Sequence, residues 1–189
     1  MKSILAIFVM FFCINKIYAG NNIHLIDQDP QTGFQIYRFS EPDKKDMKML
    51  CDLGIDEVMV LSGNAKTHEY KYQDKCPSLK VIYDEDQSAK VPLTGSFLRY
   101  FDNWVHEAKA TGKKIAFRCE CGCHRTGRLA AYYQMKYQNI TPDDAVAIMN
   151  KHGKYMWLHP QLEPQVNDLA NYIKDEPCND SKKYCVVRD

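Results

Sequence analysis

Lys114-Ile115-Ala116-Phe117-Arg118-Cys119-Glu120-Cys121-Gly122-Cys123-His124-Arg125-Thr126-Gly127-Arg128 is the stretch on which both fold and chemistry turn. Ile115 to Phe117 is an apolar run of strand length entered just after Gly112. Thr126 to Tyr137, rich in Ala, Leu, Met and Tyr, reads as a helix. Between them lies a turn with C-x5-R-[ST] spacing, Cys119 at its start and Arg125-Thr126 at its end. A loop that wraps from strand to helix can aim successive backbone N–H groups at one point, and the positive end of the helix dipole adds to them, so the turn makes a cradle for phosphate. Arg125 is placed to grip two phosphoryl oxygens with a charge that does not titrate. The same donors are expected to lower the pKa of Cys119 and favour its thiolate, with the Thr126 hydroxyl bonded to the sulfur.

Working outward, Phe97, Leu98, Phe101, Trp104, Val105 and Ala108 recur at helical spacing over 95–110, and Gly112 supplies the stop. Ile55 to Leu61 and Leu79 to Tyr83 read as strands, and Ile36 to Phe39 as a shorter one. Ser40-Glu41-Pro42-Asp43 reads as a capping box opening a helix with Met47, Leu50 and Cys51 on one face, ended by Gly54. The Lys- and Tyr-rich stretch before Leu79 reads as loop or hairpin. Downstream, Thr141-Pro142-Asp143-Asp144 caps another helix, and Pro164 fits the first turn of a last one. The aromatic and methionine stripes read as core. Strands separated by helices predict an α/β fold with a mostly parallel central sheet flanked by helices. With no repeats and no Gly-, Ser- or Pro-rich linker, a single domain over 20–189 is expected.

The start of the chain reads differently. Lys2 precedes an apolar run from Ile4 to Ile14, and Ile17-Tyr18-Ala19 offers a small residue before Gly20, the pattern of a signal peptide over 1–19. Export to the periplasm or the medium is the expectation. Losing Lys2 and Lys16 with that leader takes the formal charge from +1 to −1, and no long basic block remains. Neither a nucleic-acid partner nor, after leader removal, a membrane partner is expected. Of eight cysteines, Cys13 goes with the leader, leaving an odd number for an oxidising compartment. Cys178 and Cys185 have a separation suited to a local disulfide.

Cys119, Gly122, Arg125 and Thr126 together resemble the loop of the protein-tyrosine-phosphatase superfamily, H-C-x-x-G-x-x-R-[ST]. Arg118 stands where that family usually has His, and His124 where many members have Gly, a place where backbone freedom often matters. The loop's position well into a short chain resembles the compact, dual-specificity-like branch. Ile36-Tyr37-Arg38-Phe39-Ser40 through Leu53-Gly54-Ile55-Asp56-Glu57-Val58 is similar to the opening of plant and fungal atypical dual-specificity phosphatases, several of which act on inositol pyrophosphates. Glu120 directly after the cysteine, with Arg125-Thr126, resembles the bacterial tyrosine-phosphatase-like phytases, which are exported.

The resemblance implies a tyrosine/dual-specificity-phosphatase-like fold and a cysteinyl-phosphate intermediate, with Cys119 as nucleophile, Arg125 on the phosphoryl group and Thr126 on the thiolate. It also implies an upstream aspartate as general acid and base on a mobile loop. Asp86 is the favoured candidate, with Asp84 and Glu85 as alternatives. Substrate contacts are expected from Glu120, Cys121, Gly122, Cys123 and His124 in the loop, and from Arg38, Arg128 and Lys90 as cations at the mouth, although Arg38 is equally open to a structural ion pair. The expected function is that of an exported phosphomonoesterase acting on inositol polyphosphates such as phytate. The alternatives are a dual-specificity or tyrosine protein phosphatase and an inactive relative that only binds phosphate. No cofactor or metal is expected. Cys119, Cys121, Cys123 and His124 crowd one short loop without C-x2-4-C spacing, and Cys121-Gly122-Cys123-His124 is one residue short of a haem attachment motif.

Overall fold

The structure, a computed structural model, describes residues 23–188; the leader expected over 1–19 lies outside the described residues. Its frame is a five-stranded sheet in the order β1-β2-β5-β3-β4. β2 (Gln35–Phe39), β5 (Lys114–Arg118), β3 (Glu57–Val60) and β4 (Lys80–Asp84) run parallel, and β1 (His24–Gln28) pairs antiparallel with β2 at one edge. The expected α/β architecture with a mostly parallel sheet is therefore the observed one. β5 is central, and Ile115, Ala116, Phe117 and Arg118 are all buried, as a parallel strand covered on both faces requires.

Strand alternation divides the core in two. Ile36, Met59, Ile115 and Phe117 point to one face, where α2 (Gly95–Thr111), α3 (His124–Gln138), α4 (Pro142–Lys151) and α5 (Leu162–Ile173) pack. Tyr37, Phe39, Val58, Val60 and Ala116 point to the other, covered by α1 (Lys44–Leu53) through Met47 and Leu50. On the larger side Phe101 meets Phe117, Tyr132 and Tyr133 edge to face.

Several boundaries differ from the sequence expectation. α1 begins three residues later than a Ser40 cap would give. Asp43 is the N-cap, accepting from the Lys45 and Asp46 N–H groups while the Asp46 carboxylate accepts from Asp43 N–H. The cause is Pro42, which pushes the residue before it out of helical conformation; Glu41 N–H donates instead to Glu120 O at 2.9 Å. β1 was not anticipated. It reaches β2 through a turn in which the Asp29 carboxylate accepts from Gln31 N–H and Gly33 takes a left-handed φ of 86°. The stretch before β4 is a loop with two short 3-10 turns, Ala65–Thr67 and Gln73–Lys75. Near the C-terminus Cys178 and Cys185 form the expected disulfide.

The order in that loop comes from one buried ion pair. Arg118, at the end of β5, donates from Nε to Glu69 Oε1 at 2.7 Å and from Nη2 to Glu69 Oε2, and both side chains are fully buried. Its Nη1 donates to Ser62 Oγ at 2.8 Å and Asn64 Oδ1 at 2.6 Å. Removing one member of such a pair leaves an uncompensated charge in the interior. Glu69→Ala should therefore lower the free energy of unfolding in urea by roughly 3–5 kcal/mol. A loss within about 0.5 kcal/mol, the scale of a surface substitution, would show the pair to be dispensable.

Candidate active site

The loop from Cys119 to Cys123 leaves the carboxyl end of β5 and enters α3 at His124. Its carbonyls are anchored from outside: Glu120 O accepts from Glu41 N–H, and Gly122 O accepts from Arg38 Nη2 at 2.6 Å. An N–H points opposite to the C=O of its own peptide plane. The Cys121 and Cys123 N–H groups thus turn away from Glu41 and Arg38, that of Cys123 towards the Cys121 sulfur at 3.1 Å. Gly122 makes the path possible. Its φ is 64°, and a Cβ there would lie 2.6 Å from Phe39 O. His124 needs no such freedom, because it opens the helix with a negative φ.

These constraints produce a pocket of about 500 Å³ lined by Cys119, Glu120, Cys121, His124 and Arg125 from the loop and helix, and by Asp86, Ser88, Ala89 and Lys90 from the segment after β4, with His159 closing one side. Cys119 is buried. Arg125 Nη1 reaches Asp86 Oδ1 and, at 3.3 Å, Leu61 O, while its Nη2 lies 3.4 Å from Glu120 Oε2. The expected nucleophile, phosphate clamp and acid are thus brought to one opening. Of the three acid candidates Asp86 lines the pocket, whereas Asp84 Oδ1 accepts from Ala65 N–H and Glu85 Oε2 accepts from Tyr83 OH. The loop bearing Asp86 is less free than expected. Ser62 pairs with Asp86, Gln87 N–H donates to Leu61 O, and Gln161 Nε2 donates to Ala89 O.

Two expected mouth cations are not at the mouth. Arg128 is buried on α3, donating to Ser88 O at 3.0 Å, Val91 O at 2.7 Å and Gln165 Oε1. Arg38 is buried behind the loop with Nη2 on Gly122 O, and it has no ion pair among the described residues. Burial pulls the pKa of Arg38 down to about 10 and that of Arg128 to about 9, the physical signature of guanidinium groups used as scaffold. Both lie one helical or strand face away from the pocket, a distinction that closeness in sequence to the loop does not reveal. Cys123 is likewise fully buried, and its N–H is taken up by the Cys121 sulfur. Lys90, Glu120, Cys121 and His124 line the pocket as expected.

The thiol also departs from expectation. A hydrogen bond with the Cys121 thiol, and then burial, push Cys119 up to about 12, against the Thr126 hydroxyl and N–H, which pull it down. Arg125 does not offset them here because its charge faces Asp86 and Glu120. Thr126 Oγ1 is buried with no other hydrogen-bond partner, which leaves its proton for the sulfur. Cys123 is the low one, brought to about 7 by its hydrogen bond with Cys121.

His159 escaped the sequence reading. A lone histidine in a polar loop gives no signal, and only the fold stacks its ring on His124, centroids 3.8 Å apart, with His124 Nε2 donating to Lys154 O at 2.6 Å. A buried sulfur at the end of a strand, an oxyanion cradle, a guanidinium and a carboxylic acid around one opening can carry out nucleophilic displacement at phosphorus.

Comparison with known proteins agrees. The dual specificity phosphatase catalytic domain matches residues 36–172. The chain is 25% identical over 165 residues to the tyrosine-protein phosphatase vhp-1 of Caenorhabditis elegans, covering 84% of this chain but only 22% of that protein, so it spans about a fifth of its relative's length. Among solved structures, TpbA of P. aeruginosa in complex with pTyr superposes with a TM-score of 0.60 at 15% identity, covering 80% of this chain and 96% of TpbA. PTPMT1 in complex with PI(5)P gives 0.61 at 15% identity, with 81% and 97% covered. The core catalytic domain of the PP-IP phosphatase SIW14 from S. cerevisiae gives 0.55 at 17% identity, with 72% and 81% covered. At these identities the structures establish a shared fold.

Behind the loop, His152 and His24 lie with ring centroids 4.4 Å apart, and burial, then the Arg38 charge, hold His152 down to about 4. The folded state keeps this ring neutral where the unfolded chain, with an ordinary histidine pKa near 6.5, binds a proton. Its contribution to stability is therefore present above about pH 6.5 and is lost as pH falls towards 4. Unfolding curves collected across that window should show stability declining with pH. His152→Gln should flatten the decline, and an unchanged slope in that variant would remove His152 as its source.

Proposed function

The chain belongs to the dual specificity phosphatase family, and from that premise we propose that it hydrolyses phosphomonoesters through a cysteinyl-phosphate formed on Cys119, with an inositol phosphate as substrate. The observation that carries the reading is the convergence of Cys119, Arg125 and Asp86 on one pocket of about 500 Å³. In the first step Cys119, having given up its thiol proton to solvent, attacks phosphorus as the thiolate, the bond from phosphorus to the leaving oxygen breaks, and Asp86 gives that oxygen its proton. In the second, water attacks phosphorus, Asp86 takes the water proton, and the S–P bond breaks to return the thiolate and release phosphate. Arg125 turns from Asp86 to two phosphoryl oxygens. Asp86 is thereby released from the guanidinium and faces the leaving oxygen. Thr126 supports the thiolate.

The choice of substrate rests on the lining. Ser88, Glu120, His124 and His159 offer hydrogen-bond partners to a polyhydroxylated ring, and among the described residues no Phe, Tyr or Trp lines the pocket to sandwich a phenyl group. The phytate expectation is narrowed by the same surface. With Arg38 and Arg128 buried, Lys90 and Arg125 are the lysine and arginine side chains lining the pocket, opposed by Asp86 and Glu120. A ring with few phosphates and free hydroxyls suits that balance better than a fully phosphorylated one. SIW14 is described as a PP-IP phosphatase and PTPMT1 was solved with PI(5)P, which supports the class. TpbA, solved with pTyr, supports the second reading, a tyrosine phosphatase. Export belongs to the proposal on the strength of the leader-like 1–19 segment, and recovery of a mature form beginning at Gly20 from outside the cytoplasm tests it.

Cys119→Ser should abolish turnover while phosphate-ester binding persists, because the cradle and Arg125 remain. Asp86→Asn should lower kcat by about 10²–10⁴ on substrates with poor leaving groups, and Arg125→Lys should fail through loss of bidentate geometry. Near-parental rates in any of the three would remove that residue from its role. Across a panel, phosphate release should be faster from inositol mono- and bisphosphates than from phytate or phosphotyrosine peptides. Preference for the peptides would replace the inositol reading with the tyrosine phosphatase.

A further inference from the structure

The loop that carries Asp86 leaves the pocket towards α2, and the C-terminal tail meets it there. Val187 N–H donates to Leu93 O at 3.1 Å, and Val187 O accepts from Gly95 N–H at 2.8 Å, so Val187 sits beside Thr94 in a parallel bridge. Both bonds have a local reason. Gly95 opens α2, where an N–H has no partner within the helix. Leu93 lies in the core, where a backbone carbonyl needs a partner from the protein.

The tail itself is tied down. Val186 is buried in the larger core, and its N–H donates to Asp168 Oδ2 at 2.6 Å. Directly before it, the Cys178–Cys185 disulfide closes the turn that brings the chain back from α5. Arg188, just beyond, reaches Asp175 Oδ1 at 3.1 Å with Nη1 and Glu176 O with Nη2. One face of α5 organises these contacts, since its N-cap Gln161, Gln165 and Asp168 recur at helical spacing. Gln161 holds Ala89 O, Gln165 Nε2 holds Lys90 O at 3.4 Å, and Asp168 holds the tail. With Arg128 on Ser88 O and Val91 O, the side-chain anchors of the acid loop end at Val91. Among the described residues, Val187 supplies the hydrogen bonds that reach the loop's exit at Leu93 and Gly95 from elsewhere in the chain.

We propose that Val187 is a positioning residue for the protonation step: the stapled tail fixes the exit of the acid loop and, through it, the place of Asp86 beside the leaving oxygen. The inference rests on the reading of Asp86 as general acid. Ser62 pairs with Asp86 where the loop enters the pocket, and Val187 pairs with Thr94 where it leaves, so a short segment is pinned at both ends. Fixing both ends matters because a group misplaced by about 1 Å loses on the order of a hundredfold in rate. The tail is absent from the pocket lining among the described residues, so its influence on turnover has to pass through the loop.

The test separates protonation from the rest of the reaction by the choice of leaving group. The ratio kcat/KM reports steps up to transfer of the phosphoryl group to Cys119, however fast the cysteinyl-phosphate is hydrolysed afterwards. It is measured for 4-nitrophenyl phosphate, whose leaving group departs without a proton, and for phenyl phosphate, whose leaving group needs one. Val187→Pro removes the N–H that Leu93 O accepts, and because that side chain is exposed while Val186 is buried, the core is left in place. The variant should lower kcat/KM for phenyl phosphate by about tenfold or more and keep that for 4-nitrophenyl phosphate within about twofold. Val187→Ala, which retains both backbone groups, should restore the phenyl phosphate value. Asp86→Asn should show the same selectivity more strongly, and adding Val187→Pro to it should bring no further selectivity, since the acid is already gone. Should Val187→Pro fail to fold, Cys178→Ser combined with Cys185→Ser unstaples the tail without removing its hydrogen bonds and is read in the same way. Equal losses on the two substrates, or parental values for both, would overturn the inference. Selectivity in Asp86→Asn alone removes the tail from its role and leaves the acid standing, whereas Asp86→Asn without selectivity removes the acid reading and the inference with it.

Discussion

A guanidinium group with no access to water governs the geometry of the site. Arg118 satisfies itself on Glu69, Ser62 and Asn64, and each of those partners belongs to the loop that follows β3. A buried charge carries a desolvation cost of several kcal/mol that only complete pairing offsets, so the loop has one favourable arrangement around it. That arrangement reaches the chemistry in two directions. Arg118 directly precedes Cys119, which fixes the strand end from which the cradle departs. Ser62 pairs with Asp86 across a bridge, which fixes the acid. Asn64 Nδ2 also donates to Glu41 Oε1, and Glu41 N–H holds Glu120 O, so the outer side of the cradle hangs on the same network.

The other buried arginines repeat the device. Arg38 holds the cradle at Gly122 O, and Arg128 holds the acid loop at Ser88 O and Val91 O. Arg38, Arg118 and Arg128 thus build the scaffold, and Arg125 is the arginine of the signature that lines the pocket. A long side chain with a planar fork of donors can satisfy several backbone carbonyls at once, which explains why arginine serves where loops must be fixed against each other. The consequence is a mouth of nearly balanced charge, in which Lys90 and Arg125 stand beside Asp86 and Glu120.

The legible parts of the sequence were those in which the chain's own local pattern decides the outcome. β5 and the helices from α2 to α5 follow from apolar periodicity, and the cradle follows from the spacing of Cys119, Gly122 and Arg125, because a strand-loop-helix junction fixes its own geometry. Asp86 was recoverable through the resemblance and its place before α2. What stayed hidden depended on which way a side chain turns once sheets and helices pack. Arg38 alternates on a strand and Arg128 lies one turn into a helix, and in both cases the inward direction is set by neighbours far away in sequence, Gly122 and Gln165. Glu69 and His159 were hidden for the same reason. The start of α1 turned on Pro42 and Asp43 rather than on Ser40, a local effect that the competing capping pattern concealed.

The three sulfurs of the cradle connect structure to reactivity. A hydrogen bond with Cys121 and then burial push the Cys119 thiol up to about 12, while the hydrogen bond with Cys121 brings Cys123 to about 7. A thiol is both donor and acceptor, so the bond between Cys119 and Cys121 has two directions. When Cys119 donates, it is protonated and unreactive. Once Cys119 has given up its proton to solvent, it becomes the acceptor, and the Cys121 and Thr126 protons both point at its thiolate. Moving Arg125 from its carboxylates onto a phosphate brings positive charge towards the sulfur at the moment of attack, which favours the second direction.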